Sequence, residues 1–300
     1  VPWSKHPDRD EQWRQQTYAL LGKIKFNQEQ ECSFTGSTST LIEGNTLVAL
    51  KDHVCDPNWS PEEGFSVWKQ PMRGRLYAFG VDVAKGAGNS TDYSVINIFD
   101  VTDFAKTNKY EQVAVFRRNN IVLFDFIDKI HELSKHYNNP MIVVENNTTG
   151  EVVCKVLYHD KEYENIYFDY ERAEHGINAN VRTKPMALNF FKNDLESQRM
   201  FIRSNDMLVE LSYFEEITPG VFKARPGRNL HDDIVSSAYW VSYALRTRYF
   251  QDDFMYYAGK QPIEGQENQD SSTDEDILNG FNKYVRPLSD KDRLRNDLSR

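Results

Sequence analysis

The chain has 300 residues, 39% of them hydrophobic and 27% charged, with mean hydropathy −0.67. That is enough for one large domain or two modest ones, and no apolar run approaches the roughly 18 residues needed to cross a bilayer. The formal charge is −9; taken as a total it speaks against a nucleic-acid partner, but residues 251–300 hold eleven acids against seven bases and so carry much of the excess.

The chain opens VPWSKHPDRD, without a basic n-region or an apolar h-region, so it is not read as a secretory precursor; a start at Val1 suggests a boundary cut from something longer. Without a secretory signal, the Asn58, Asn89 and Asn147 sequons are discounted. Cys32, Cys55 and Cys154 are too few and too scattered for a disulfide framework or a paired-thiolate zinc site, and read as free thiols.

In chain order, Asp8–Leu21 is a predicted helix opened by Pro7-Asp8 and closed near Gly22. The rest of 1–70 is turn-rich and reads as a connecting segment. From residue 71 the pattern changes. Leu76–Val83, Tyr93–Phe99 and Gln112–Arg117 are predicted strands, Phe124–His136 an amphipathic helix, and Met141–Val144 a fourth strand. A helix over Gly150–Tyr158, a short strand at Ile166–Phe168, a helix over 184–198 and a strand at Met200–Ile202 follow. Helix Met207–Phe214, a hairpin arm at Val221–Ala224 and a last helix at His231–Arg246 complete the segment to residue 250. Three strands followed by alternating helices and strands predict an α/β fold, a mixed sheet flanked by helices. Residues 251–300 read as an acidic flexible tail with a short helix near Glu275–Asn282.

Three acidic positions fall at the ends of elements. Asp82 closes the first strand, Glu145 follows MIVV, and Asp232 and Asp233 open the last helix in NLHDDIVSSAYW. Each alone has an ordinary explanation: a turn cap, an exposed strand end, or acids favoured at a helix N-terminus. Together they define a candidate metal site, because carboxylates gathered among apolar neighbours are costly unless paired or bound to a cation. Mg²⁺ and Mn²⁺ prefer oxygen ligands, and two such ions serve phosphodiester hydrolysis. Lys223, Arg225 and Arg228 lie just before the acid pair, and Arg182 and Lys184 precede the 184–198 helix. These bases are candidate contacts to a DNA backbone. Gly86-Ala-Gly88 is followed by a strand and so reads as a turn between strands, with Asp92 at its far side; a dinucleotide fingerprint would lead into a helix. No G-x-x-x-x-G-K-[ST] stretch and no nucleophile elbow occurs in the sequence.

The segments WSKHPDRDEQW, FNQEQECSFTGSTSTLI, FGVDVAKGAGNSTDYSVI, MIVVENNTTG, TKPMALNFFKNDLESQRMFI and HDDIVSSAYW occur in this order between Trp3 and Trp240. They resemble the large terminase subunit of tailed bacteriophages, nearest to the T-even-like phages. The resemblance implies a ribonuclease H-like nuclease domain at 71–250, preceded at 1–70 by the segment that follows an ATPase domain in that family. It implies Asp82, Glu145 and Asp233 as catalytic, metal-holding carboxylates, Asp232 as an alternate ligand and Asp92 as an auxiliary acid. The cofactor would be one or two Mg²⁺ or Mn²⁺ ions. The substrate would be double-stranded, concatemeric viral DNA, cut with low sequence specificity in the host cytoplasm at the prohead portal. Portal protein, small terminase subunit and an N-terminal ATPase domain are the implied partners, with no membrane. Two alternatives stay open: another ribonuclease H-like nuclease of the resolvase or integrase type, and a non-catalytic docking module between motor and portal.

Overall fold

A computed structural model describes residues 7, 9–15, 17, 40–84, 92–227 and 230–255. Near the N-terminus, residues 11–15 are helical, and the Asp10 carboxylate accepts the Trp13 backbone N–H at 2.7 Å. Asp10, two residues beyond the predicted start, is therefore the cap of this turn. Most of the other expected elements recur within one or two residues. They are α1 (Gly44–Lys51), β1 (Phe65–Val67), β2 (Tyr77–Asp82), β3 (Ser94–Asp100), α2 (Phe104–Thr107), β4 (Tyr110–Arg118), α3 (Leu123–His136), β5 (Met141–Val144) and α4 (Thr149–Lys155), which runs on into a π turn at Val156–Asp160. Then come β6 (Phe168–Asp169), β7 (Glu174–His175), α5 (Thr183–Glu196), β8 (Met200–Phe201), α6 (Asn205–Tyr213), β9 (Phe214–Thr218), β10 (Val221–Ala224) and α7 (Asp233–Ala244).

The main sheet has the order β1-β4-β3-β2-β5, with β8 also on β4. β2, β3 and β4 form an antiparallel meander, while β5 lies parallel to β2 and β8 parallel to β4. The sheet is therefore mixed, as expected. It separates two apolar layers, because side chains alternate across a strand. Tyr77, Phe79, Val81, Ile142 and Val144 face a layer closed by Phe126, Ile127 and Ile130 of α3 and Val153 of α4. Ala78, Met141 and Val143 face the opposite layer, built on α5, α6 and α7. α7 is the central helix of that layer: Ile234, Val235, Ala238, Tyr239, Trp240, Val241 and Ala244 are all buried, so it is apolar around most of its circumference.

The packed unit begins before residue 71. Leu41, Ile42, Leu47, Leu50 and Trp68 lie in the α7-side core, and β1 pairs with β4 through Phe65↔Phe116 and Val67↔Ala114. The segment expected to be a connector thus supplies a strand and a helix to the domain; its short apolar stretches had no partner visible in the local pattern. The glycine-rich connection at 85–91, Cys32 and the expected tail helix lie outside the described residues. Cys55 and Cys154 are free thiols, and burial pushes the Cys154 thiol up to about 12. None of the helices among the described residues is long and apolar enough to cross a membrane.

Candidate metal centre at the end of the sheet

β2 and β5 pair as far as Val81↔Val144, so the next step along both strands sets Asp82 beside Glu145. Alternation then gives both acids one face. Asp82 follows Ala78 and Gly80, and Glu145 follows Met141 and Val143, all on the α7 side. α7 can reach these strand ends because residue 80 has no side chain. A Cβ there would stand 2.1 Å from the Ser237 carbonyl oxygen, which only glycine permits. Ser237 is one turn beyond Asp233, so this close crossing delivers the helix N-terminus to Asp82.

The electrostatics record the convergence. Burial pushes the Asp82 carboxyl well above its ordinary range, and Asp233, Glu145, Asp232 and Glu210 push it further the same way. No hydrogen bond or ion pair holds its carboxylate among the described residues. Asp233 is raised to about 6, first by burial and then by Asp232 and Asp92, against the opposing effect of the Tyr93 backbone N–H that its Oδ2 accepts at 3.1 Å. Glu145 is held at both oxygens, accepting from Trp240 Nε1 at 3.0 Å and Asn147 Nδ2 at 2.9 Å. Asp232 accepts the Ala224 backbone N–H at 3.1 Å, which ties the β9–β10 hairpin to the site. Among the described residues, no three His, Cys, Asp or Glu side chains are grouped tightly enough to hold a metal ion as they stand. What the fold provides is a set of oxygen donors on one face, one of them unpartnered and strongly repelled by its neighbours. That chemistry suits a hard divalent cation.

The remaining predicted residues divide. Asp92 is exposed and lies close enough to act on Asp233 and His231. Lys184 sits 5.7 Å from the centre of the Tyr239 ring, and Tyr239 in turn feels Glu145 and Asp82. Arg182 is exposed immediately before α5. Lys223 and Arg225 are exposed on the hairpin, with Arg225 over Tyr213 at 5.4 Å, while Arg228 lies outside the described residues. His231 Nδ1 is 3.7 Å from Asp233 Oδ2, and burial followed by Arg117 lowers its pKa. The imidazole is therefore neutral near pH 7.

Two functional neighbours escaped the sequence reading. Glu210 of α6 is buried, with Oε2 accepting the backbone N–H groups of Ile234 and Val235 at 2.8 and 3.0 Å. Its Oε1 lies 3.3 Å from Arg117 Nη2, and the Arg117 guanidinium stands over the Tyr93 ring at 3.9 Å. Both left a signal. Glu210 interrupts the buried stripe Met207, Leu211, Phe214, and Arg117 follows the buried Val115 at the same-face spacing of a strand.

A mixed sheet of an antiparallel meander extended by a parallel strand, covered by helices and carrying acids at one end, is the ribonuclease H-like architecture. Residues 79–195 match the profile of the family described as Terminase RNaseH-like domain. Two solved structures share the fold. The large terminase nuclease from thermophilic phage G20c with bound magnesium is 19% identical, with a TM-score of 0.52, covering 69% of this chain and 98% of that one. The same nuclease with bound cobalt gives 17% identity and a TM-score of 0.51 over the same shares. Residues 79–195 thus match a terminase ribonuclease H-like domain and the chain shares that fold, in agreement with the resemblance read from the sequence.

Proposed function

We propose that the chain is a divalent-metal-dependent DNA endonuclease that cuts concatemeric viral DNA during genome packaging. The observation that carries this reading is the Asp82 carboxylate, without a partner among the described residues and raised by burial and then by Asp233, Glu145 and Asp232, at the end of a sheet of the ribonuclease H-like kind. Asp82, Glu145 and Asp233 would hold one or two Mg²⁺ or Mn²⁺ ions, with Asp232 as alternate ligand and Asp92 as an auxiliary acid. The relatives with bound magnesium and bound cobalt support a divalent ion of this kind. Bound there, the metal would supply an activated water and charge neutralisation at the phosphate.

The protein's own residues perform the positioning. Trp240 and Asn147 fix the Glu145 carboxylate, Tyr93 fixes Asp233, and Arg117 is the cation that acts on Asp233. Lys184, Arg182, Lys223, Arg225 and Arg228 would hold the DNA backbone. Such contacts carry no base information, hence the low sequence specificity. An ATPase domain preceding the chain, the portal protein and the small terminase subunit are proposed partners on the resemblance, and the prohead portal in the host cytoplasm is the proposed place of action. The same resemblance supports 71–250 as the nuclease region, to which Leu41–Trp68 and Phe254 add packed core residues, and an acidic tail beyond it.

Asp82→Asn tests the reading. With Mg²⁺ and plasmid DNA the variant is expected to lose cleavage while keeping its circular dichroism spectrum; full activity in a folded variant would overturn the proposal. Preference for four-way junctions over linear duplex would instead favour a resolvase.

A further inference from the structure

Two aspartates open α7, yet neither caps it. Asp232 occupies the N-cap position, where its backbone carbonyl accepts the Ser236 N–H at 2.7 Å, but its carboxylate accepts no hydrogen bond from the helix and is turned to Ala224 N. Asp233 accepts from Tyr93 N in the neighbouring β3 entry. An aspartate at a helix start ordinarily accepts the exposed amides of its own first turn, which would draw its carboxylate inward over the helix end. Here those amides are already taken. Glu210 reaches across from α6, and its single oxygen Oε2 receives both Ile234 N and Val235 N. Its other oxygen faces Arg117 Nη2. Arg117 also lies 3.3 Å from Asp206 Oδ2 and covers Tyr93, the residue whose N–H holds Asp233.

We propose that Glu210 is a positioning residue that caps α7 in place of the helix's own aspartates, leaving the carboxylates of Asp232 and Asp233 free of the helix end and available to a metal ion. This rests on the metal-site reading above and deepens it. Glu210 is assigned no ligand role: its Oε2 is engaged by the two amides and its Oε1 faces Arg117. Its contribution is to occupy the two first-turn amides, Ile234 N and Val235 N, to which the acids opening the helix, the N-cap Asp232 first, would otherwise be drawn. The acceptor oxygen is the working part, so a neutral amide side chain of the same length should serve, whereas a methyl should not.

The test measures Mn²⁺ binding directly, by the loss of the free Mn²⁺ electron paramagnetic resonance signal, on the full chain and on Glu210→Gln and Glu210→Ala, alongside melting temperature and plasmid cleavage. Loss of an outer partner of a metal ligand typically weakens affinity 10–100-fold. Glu210→Ala is expected to bind Mn²⁺ at least about tenfold more weakly, with cleavage recovering as Mn²⁺ is raised. Glu210→Gln should stay within about threefold of the parent, less than the loss typical of a missing outer partner. A folded Glu210→Ala with parental Mn²⁺ affinity would overturn the inference. So would a Glu210→Gln that loses affinity tenfold, a result that remains decisive if the alanine variant does not fold. A parent chain that binds no Mn²⁺ would instead remove the metal-site reading itself.

Discussion

Asp233→Asn separates the cost of the acid cluster from its use. The side chain is largely enclosed, with 14% relative exposure, and its carboxyl is raised from the ordinary 3.8 to about 6 by burial, Asp232 and Asp92. That difference corresponds to about 3 kcal/mol. The folded chain holds this proton more tightly than the unfolded chain does. The metal-free fold therefore has its full margin below about pH 4 and loses it as pH rises from about 4 through about 6. Asparagine keeps an oxygen for the Tyr93 N–H and never ionises. In EDTA at pH 8 the variant should be more stable than the parent by up to about 3 kcal/mol. For a domain of this size that is about 6–12 °C in melting temperature. Near pH 4 the two should melt together. Adding 1 mM Mn²⁺ at pH 8 should raise the parent's melting temperature through preferential binding to the folded state and leave the variant nearly unmoved. Thermal melts followed by circular dichroism at pH 4.5, 6 and 8 are sufficient. A variant that melts at or below the parent at pH 8 in EDTA, or a difference independent of pH, would refute the reasoning.

Gly80→Ala places a methyl 2.1 Å from the Ser237 carbonyl; α7 must move, at a cost of about 1–3 kcal/mol. Mn²⁺ affinity should fall together with melting temperature, and unchanged values for both would show that the helix does not cross β2 there. The hairpin bases are tested by Lys223→Ala combined with Arg225→Ala. Two lost phosphate contacts should reduce the slope of log affinity against log salt by about 2 on duplex DNA, read by fluorescence anisotropy in Ca²⁺. An unaltered slope would place the DNA elsewhere.

Strands such as Tyr77–Asp82 and Met141–Val144 were legible locally because each is an apolar run that ends in or is followed by an acid, and such runs need no distant information to be recognised. The segment 41–69 was not. Phe65–Val67 is three residues long and becomes a strand only because the outer edge of β4 is there to pair with it. Asp82 and Glu145 could be named as candidates because an acid ending an apolar strand is a local feature. Glu210 could have been singled out as an acid within a buried helical stripe, but its partners lie 24 and 25 residues along the chain and on another helix.

The amino-acid sequence by itself determined the order of acids, the alternation that puts Asp82 and Glu145 on one face of their strands, and the terminase resemblance carried by the motifs around them. Only the tertiary structure decided that β2 and β5 are parallel neighbours, that the missing side chain of Gly80 admits α7 onto the sheet, and that Glu210 accepts the first amides of that helix. The physical reason is range. Periodicity and strand ends are set by neighbours in sequence, whereas the burial and then the repulsion that raise Asp82 exist only once the fold takes it out of water among four distant carboxylates.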